Sequence, residues 1–379
     1  MVKTNLLFVI TKLELGGAQT QLLSLIRRLD TSKYNIYLFT ARSGLLMADA
    51  VRSPGLIVHG SAFLERAINP AADTLAFFEL IRYIKEKKID IVHTHSSKAG
   101  IIGRCAAAAA GVRGIFHTVH GWPFHPYQRR AASALYILLE RFAAMLTTRI
   151  VVVCEADKAR GLAAKIGHPE LYEIISYAID APSFGKAADT RIRRQLGIAG
   201  DSLVVGTVAC FKPQKAPLDY LNLVRAVAAK MPDVVFVMAG DGVLRRAVER
   251  FIKRHGLERK VILTGWRRDV PQLLAAFDVF VLTSRWEGLP VSVIEAMAAS
   301  LPVVATHTGG IAELIHEPRN GFLCPCGDLG ALRDKVLRLL RDRNLRLSTG
   351  AGASSSIGPE FTWQHAARST EALYRGFCP

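Results

Sequence analysis

No stretch of the 379-residue sequence approaches the roughly 18 uncharged apolar residues that a membrane-spanning helix needs. The nearest candidate, residues 131–154, is interrupted by Glu140, Arg141 and Arg149. The apolar run Leu6–Ile10 is too short for a secretory signal and passes straight into Thr11 and Lys12, so it reads as a first buried strand. The expectation is a soluble or peripheral protein. Cysteine is scarce: there are six, at 105, 154, 210, 324, 326 and 378, and only Cys324 and Cys326 lie close together. They lack partners at metal-ligand spacing, so no metal site is expected and a reduced, cytoplasmic chain is the simpler account. Acidic residues are outnumbered, 32 against 49 Lys and Arg, which leaves a net charge of +17. That excess suits nucleic acid, a nucleotide-linked substrate or an acidic lipid surface. The sequence has no Lys/Arg-rich tail, zinc finger or RNA-binding aromatic motif, so nucleic acid is not expected as a partner. No Gly-x-Gly-x-x-Gly follows the first strand, which counts against an NAD-dependent dehydrogenase.

What is present is a repeated β–α alternation, in a chain long enough for two domains. Leu6–Ile10, residues 35–40, residues 56–59, residues 89–95, residues 114–120 and residues 149–154 read as strands of one parallel sheet. Residues 181–189, rich in Pro, Gly and small side chains, read as a linker, and a second series begins at Leu203. The expected division is 1–185, 186–358 and a C-terminal helix over 359–379, following a Gly/Ser-rich break at 350–358.

The most informative stretch is residues 280–306, read as strand, loop, helix and strand. Glu287 falls in the loop after the strand, and Glu295 falls on the helix. Free amides at the helix start would favour a phosphate. As an isolated pair these glutamates would read as a turn cap and a solvated helix residue. They are followed, however, by Gly309-Gly310-Ile-Ala-Glu313 after the next strand. Two further glycine loops follow strands, at Gly16-Gly17 and at Gly240-Asp-Gly242, each a weak signal alone. A basic loop, Lys212-Pro-Gln-Lys215, follows the strand at 203–209. A cation there would suit an anionic ligand.

Taken in order, Gly16-Gly17-Ala-Gln19, His117-Thr-Val-His120-Gly121, Gly240-x-Gly242-x-x-Arg245, and Glu287 to Glu295 followed by Gly309-Gly310-x-x-Glu313 resemble the family 4 glycosyltransferases, covering most of the chain. The resemblance implies an α/β protein of the GT-B fold, two Rossmann-like domains with parallel sheets facing across a cleft. It implies a retaining hexosyl- or N-acetylhexosaminyltransferase that moves a sugar from a nucleotide-sugar donor to a hydroxyl of a glycan or lipid-linked acceptor. Cell-surface polysaccharide or glycolipid synthesis is the process expected, at the inner face of the plasma membrane. No metal or other cofactor is implied beyond the nucleotide-sugar co-substrate.

The resemblance also distributes roles. Glu287 would take the donor sugar hydroxyls, Glu295 the ribose, and Lys212 with Lys215 the diphosphate. Gly16, Gly17, Gly240, Gly310 and the amides of Gly288 and Leu289 would complete the donor cradle, and His120 would orient the reacting sugar. Cys210 stands where the family usually has arginine, so Lys212 is expected to supply the missing charge. Trp266 is read as stacking on a ligand or packing. His93 and His95 end a strand on one face, and loop-supporting hydrogen bonds are the favoured reading for them. The loop with Trp122, Phe124, Tyr127, Arg129 and Arg130 reads equally as an acceptor or membrane contact and as packing on the next helix. Two other classes remain: an epimerase of the same fold acting on a nucleotide-sugar, and a non-enzymatic polyanion binder whose affinity would fall steeply with salt.

Overall fold

A computed structural model describes residues 3–185 and 190–378. The described chain divides into two compact units: residues up to Ala178 together with those from Trp363 onward, and Ile179–Thr362. The sequence reading drew these divisions at 185 and 358. Of its proposed linker, residues 186–189 lie outside the described residues, while Ala181–Phe184 form a single 3-10 turn packed within the second unit.

Unit 1 holds a seven-stranded sheet. Its strands are β1 (Thr4–Ile10), β2 (Tyr34–Ala41), β3 (Leu56–Ser61), β4 (Ile91–His95), β5 (Gly114–Val119), β6 (Arg149–Val152) and β7 (Tyr172–Ile174). They are ordered β3-β2-β1-β4-β5-β6-β7, and every pairing is parallel. Alternation along β1 explains why the strand is apolar throughout. Leu6, Phe8 and Ile10 enter one core with Leu22, Leu23 and Ile26 of the helix Gly17–Ile26. Leu7 and Val9 enter the core on the other face with residues of helices Pro70–Glu86 and Ser97–Ala109. Both faces are covered, as a parallel sheet requires.

Unit 2 repeats the plan with six strands: β8 (Val204–Val208), β9 (Val235–Ala239), β10 (Val261–Gly265), β11 (Val279–Leu282), β12 (Val303–Thr306) and β13 (Gly321–Cys324). The order is β10-β9-β8-β11-β12-β13, again all parallel. This is the doubly wound 3-2-1-4-5-6 order, in which the winding reverses between the first and fourth strands. The Gly/Ser-rich segment expected to break the chain is instead helical to Ser355 within Arg343–Ser355. Its small residues answer a packing demand, since a Cβ on Gly350 or Gly352 would collide with the carbonyl oxygen of Ser300 or Arg319.

The crossings between the units are tied on each side. Within unit 2, Ile179 N–H donates to the Phe361 carbonyl at 2.9 Å, beside a parallel bridge from Ile179 to Thr362. Within unit 1, the buried Gln21 amide grips Ala178 twice, accepting from its N–H at 3.0 Å and donating to its carbonyl at 2.8 Å. The helix Trp363–Tyr374 then packs in unit 1, placing the wholly buried Tyr374 in the first of the two cores.

A buried ion pair stitches helix Ser97–Ala109 to helix Arg130–Ala144. Arg104 donates to Glu140 at 2.6 Å, both side chains almost fully enclosed, and its Nε also donates to the Gly100 carbonyl. Removing one partner strands a charge in the interior, whereas replacing both with apolar groups does not. Glu140→Leu is therefore expected to lower stability by about 3–5 kcal/mol, and Arg104→Met with Glu140→Leu by much less, read from urea unfolding midpoints. Equal losses in the single and double variants would contradict this.

Candidate active site

In unit 2 the loops after β8 and β11 emerge side by side at the point where the winding reverses. Such a switch point opens a crevice at the carboxyl edge of a doubly wound sheet. The first loop carries Lys212, which caps a 3-10 turn over Pro213–Lys215, and Lys215, which ends that turn, and the second carries Glu287. Lys215 Nζ forms an ion pair with Glu287 Oε1, with only 5% of the glutamate side chain exposed. Gln214 completes the junction, donating to Glu287 Oε2 at 3.3 Å and to the Trp286 carbonyl at 2.9 Å. Arg285 N–H donates back to the Gln214 carbonyl at 2.8 Å, and the buried Thr283 hydroxyl donates to the carbonyls of Lys215 and Ala216. The two loops are thus bound together by main-chain and side-chain contacts. Nothing in residue spacing marks Gln214 or Thr283 for this task, because their partners lie about 70 residues away.

The glycines let these loops close on one another. A Cβ at Gly309, where φ is +53°, would collide with the Glu287 carbonyl oxygen, and Gly310 N–H donates to the Gly288 carbonyl at 2.7 Å. Gly240, with φ of +132°, lies against Ala209, and a Cβ there would strike the Ala209 carbonyl. Its neighbour Asp241 accepts from Phe211 N–H at 2.8 Å, which holds the glycine turn against the basic loop. Cys210, in the position expected of arginine, is half-buried there, and its carbonyl accepts from Lys212 N–H at 2.8 Å. Trp266 is partly exposed beyond β10.

Glu295 lies on the helix Val291–Ala298, whose N-terminus has no side-chain cap. The residue as a whole is half-buried, and burial of its carboxyl pushes the pKa up to about 8. The remaining solvent contact limits how far that shift counts toward stability. The two glutamates therefore differ in kind: Glu287 is matched by a cation, and Glu295 is held in a setting that favours the neutral acid.

In unit 1, Gly16 caps the helix Gly17–Ile26 in an extended conformation without any side-chain cap, so the first amides of that helix are open. Gln19 braces the loop by donating to the Lys12 carbonyl at 3.3 Å. The Thr11 hydroxyl after β1 meets the Ser96 hydroxyl after β4 at 2.8 Å, spanning the switch point of this sheet. His120, at the end of β5, has both ring nitrogens engaged: Nδ1 with the Tyr177 hydroxyl at 2.7 Å and Nε2 with His95 Nδ1 at 2.9 Å. Burial holds His120 at a pKa of about 4 and His93 at about 3, and lowers His95 and His117 well below the usual range. These rings are neutral at pH 7. His93 and His95 do share one face, stacked 4.6 Å apart, and His117 lies deeper, bonded to the Thr94 hydroxyl at 2.9 Å. Among the described residues no three His, Cys, Asp or Glu side chains gather as a metal site.

The aromatic loop divides. Trp122 and Phe124 are buried, their rings stacked 5.4 Å apart in a core with Ile150, Val152 and Tyr172, and the indole N–H donates to the Asp157 carbonyl at 2.7 Å. Packing in this core is what the structure gives these two rings. Tyr127, Arg129 and Arg130 are exposed, Arg129 at the start of the helix Arg130–Ala144.

Comparison with known proteins agrees with this architecture. The family profile described as Glycosyltransferase Family 4 matches residues 15–181, and that described as Glycosyl transferases group 1 matches residues 188–355. A UDP-Gal:alpha-D-GlcNAc-diphosphoundecaprenol alpha-1,3-galactosyltransferase of Escherichia coli is 33% identical over 344 residues, covering 88% of this chain and 87% of its own. The O-antigen biosynthesis glycosyltransferase WbnH of Escherichia coli is 26% identical over 334 residues, covering 88% of this chain and 90% of its own. Among solved structures, Anabaena HepE in complex with UDP-glucose superposes with a TM-score of 0.84 at 22% identity, covering 98% of this chain and 99% of its own. With matched profiles over both units and a similar relative along nearly its whole length, the chain belongs to glycosyltransferase family 4 and is a glycosyltransferase of the GT-B fold.

Proposed function

We propose that this enzyme transfers a hexosyl or N-acetylhexosaminyl group from a UDP-sugar to a hydroxyl of a lipid-linked glycan, with retention of configuration. The observation that carries the donor site is the junction of Lys215 and Glu287 at the switch point of unit 2. Lys212 and Lys215 supply positive charge for the departing diphosphate without a metal ion. Glu287, oriented by Lys215 and Gln214, accepts hydrogen bonds from the donor sugar hydroxyls. The amides of Gly288 and Leu289, with Gly240 and Gly310 shaping their loops, cradle the phosphates. In unit 1, the open amides at Gly16 and Gly17 are assigned to an anionic group, and His120 to orienting the reacting sugar. The acceptor proton passes to the departing phosphate oxygen, so no second carboxylate is needed. The UDP preference draws on the names of the similar Escherichia coli and Anabaena proteins.

A lipid-linked acceptor would bring the enzyme to a membrane, and one surface of unit 1 suits that contact. No described helix is long and apolar enough to cross a membrane. The helix Arg130–Ala144 nevertheless exposes Leu135, Leu138 and Phe142, with Met145 just beyond, each 53–82% accessible. Arg129, Arg130, Arg141 and Arg149, in the same stretch of chain, are exposed. The only acid between residues 127 and 149, Glu140, is buried against Arg104. An exposed apolar stripe in a stretch of chain whose exposed charges are all cations suits an anionic bilayer surface.

Three tests follow from these assignments. Glu287→Ala should lower turnover by roughly two orders of magnitude or more, as loss of a preorganised contact can, in assays of sugar transfer with and without a chelator. Full activity in that variant would remove Glu287 from the donor site. Ribose hydroxyls bonding to Glu295 favour its ionised form, so nucleotide binding should release a proton below pH 8 and tighten as the pH rises toward about 8. Calorimetry of UDP binding in two buffers of different ionisation enthalpy measures that proton, and Glu295→Gln should abolish its release. Binding without proton release in the unaltered protein would exclude this role. Finally, Leu138→Asp with Phe142→Asp should abolish flotation with phosphatidylglycerol vesicles while leaving UDP binding intact. Equal flotation of the variant, or equal affinity for phosphatidylcholine vesicles, would rule out this face as the membrane contact.

A further inference from the structure

Four rings stand in a row at the carboxyl edge of the unit 1 sheet. His93 and His95 stack with centroids 4.6 Å apart, His95 and His120 at 5.2 Å, and His120 and Tyr177 at 5.7 Å, all tilted by 27° or less. Hydrogen bonds run along the row, from the Tyr177 hydroxyl to His120 Nδ1 at 2.7 Å and between His120 Nε2 and His95 Nδ1 at 2.9 Å. The last nitrogen, His95 Nε2, is buried with no partner among the described residues.

A neutral imidazole carries one N–H, so the proton positions along such a chain are linked. If the Tyr177 hydroxyl donates to Nδ1, His120 carries its proton on Nε2 and donates to His95. If the Tyr177 oxygen accepts, His120 carries its proton on Nδ1 and accepts from His95. The role taken by a single hydroxyl therefore sets the tautomers of both histidines.

The position of that hydroxyl in the chain adds a second observation. Tyr177 precedes Ala178, the residue gripped by Gln21, and the chain passes into unit 2 at Ile179. Tyr374, on the helix by which the chain returns to unit 1, bonds His93 Nδ1 at 2.5 Å, and His93 Nε2 is taken by the Thr118 hydroxyl at 2.7 Å. Both crossings thus bring a tyrosine hydroxyl to the same row of rings.

We propose that Tyr177 and His95 are positioning residues for His120, fixing its ring orientation and tautomer through a hydrogen-bonded chain anchored beside the connector at Ala178. This rests on the reading that places His120 beside the reacting sugar. A sugar hydroxyl reaches a His120 nitrogen only by replacing one of the two partners, and the partner that stays determines whether the exposed nitrogen donates or accepts.

Tyr177→Phe removes the hydroxyl and keeps the ring. It should lower kcat for transfer about tenfold with donor KM within about twofold, the loss expected when a buried polar group is left unpaired. The imidazole 15N resonances of His120 should move from one tautomer toward a mixture. His95→Asn, whose amide can occupy the Nδ1 position, should retain most of the turnover that His95→Ala loses, which provides a second route should Tyr177→Phe fail to fold. If His120→Ala abolishes transfer while Tyr177→Phe keeps both kcat and tautomer, the positioning role is wrong and the donor-site reading stands. If His120→Ala transfers sugar at the unaltered rate, the role of His120 itself is wrong and the inference falls with it.

Discussion

Every strand pairing in both sheets is parallel, and this one constraint arranges the rest of the protein. Successive parallel strands require a crossover, so each strand is followed by a loop on the same edge and a helix that returns along a face. The carboxyl edge of each sheet therefore collects loops from distant parts of the sequence. In unit 1 it gathers Gly16, Ser96 and His120, and in unit 2 it gathers Lys215, Gly240, Glu287 and Gly309. Lys215 and Glu287 are 72 residues apart in sequence and meet because β8 and β11 are neighbours in the sheet. The reversal of winding between these strands leaves the opening in which a ligand can lie.

Charge is handled differently in the two units. Unit 2 holds one carboxylate matched by a lysine and a glutamine, and another left in a setting that raises its pKa to about 8. The first is oriented before any ligand arrives, while the second has hydrogen-bonding capacity that a neutral hydroxyl can satisfy. At the carboxyl edge of unit 1 stand histidines that burial holds neutral and that bond to one another and to tyrosines. Protonating such a row would place positive charge in a poorly solvated stack, which is why the rings serve as fixed hydrogen-bonding groups. Much of the molecule's excess of cations lies elsewhere, on exposed helical faces such as that following Arg129.

Where the sequence reading and the structure differ, packing is the cause. The glycines and serines of 350–358 carry the composition of a break, yet most of the segment is helical, and Gly350 and Gly352 are small because the carbonyls of Ser300 and Arg319 leave no room for a side chain. Trp122 and Phe124 carry the composition of a binding loop, but their rings close a core over β6 and β7. The crossing from unit 1 to unit 2 falls at Ala178 and Ile179, where pairing with Phe361 and Thr362 and the grip of Gln21 matter more than the Pro and Gly content of the residues that follow.

The sequence by itself determined the alternation of strands and helices, the parallel sheets, the family and the loops that bear the glycines, lysines and glutamates. Those properties are local: an apolar run long enough for a buried strand, a glycine after it and a helical period beyond depend on residues close together in the chain. Only the tertiary structure decided that Glu287 is bonded by Gln214 as well as Lys215, that Glu295 is poorly solvated, and that His120 is held by Tyr177 and His95. Each depends on which strand lies beside which and on how much solvent remains at the junction, quantities set by packing between segments that the sequence separates by tens of residues.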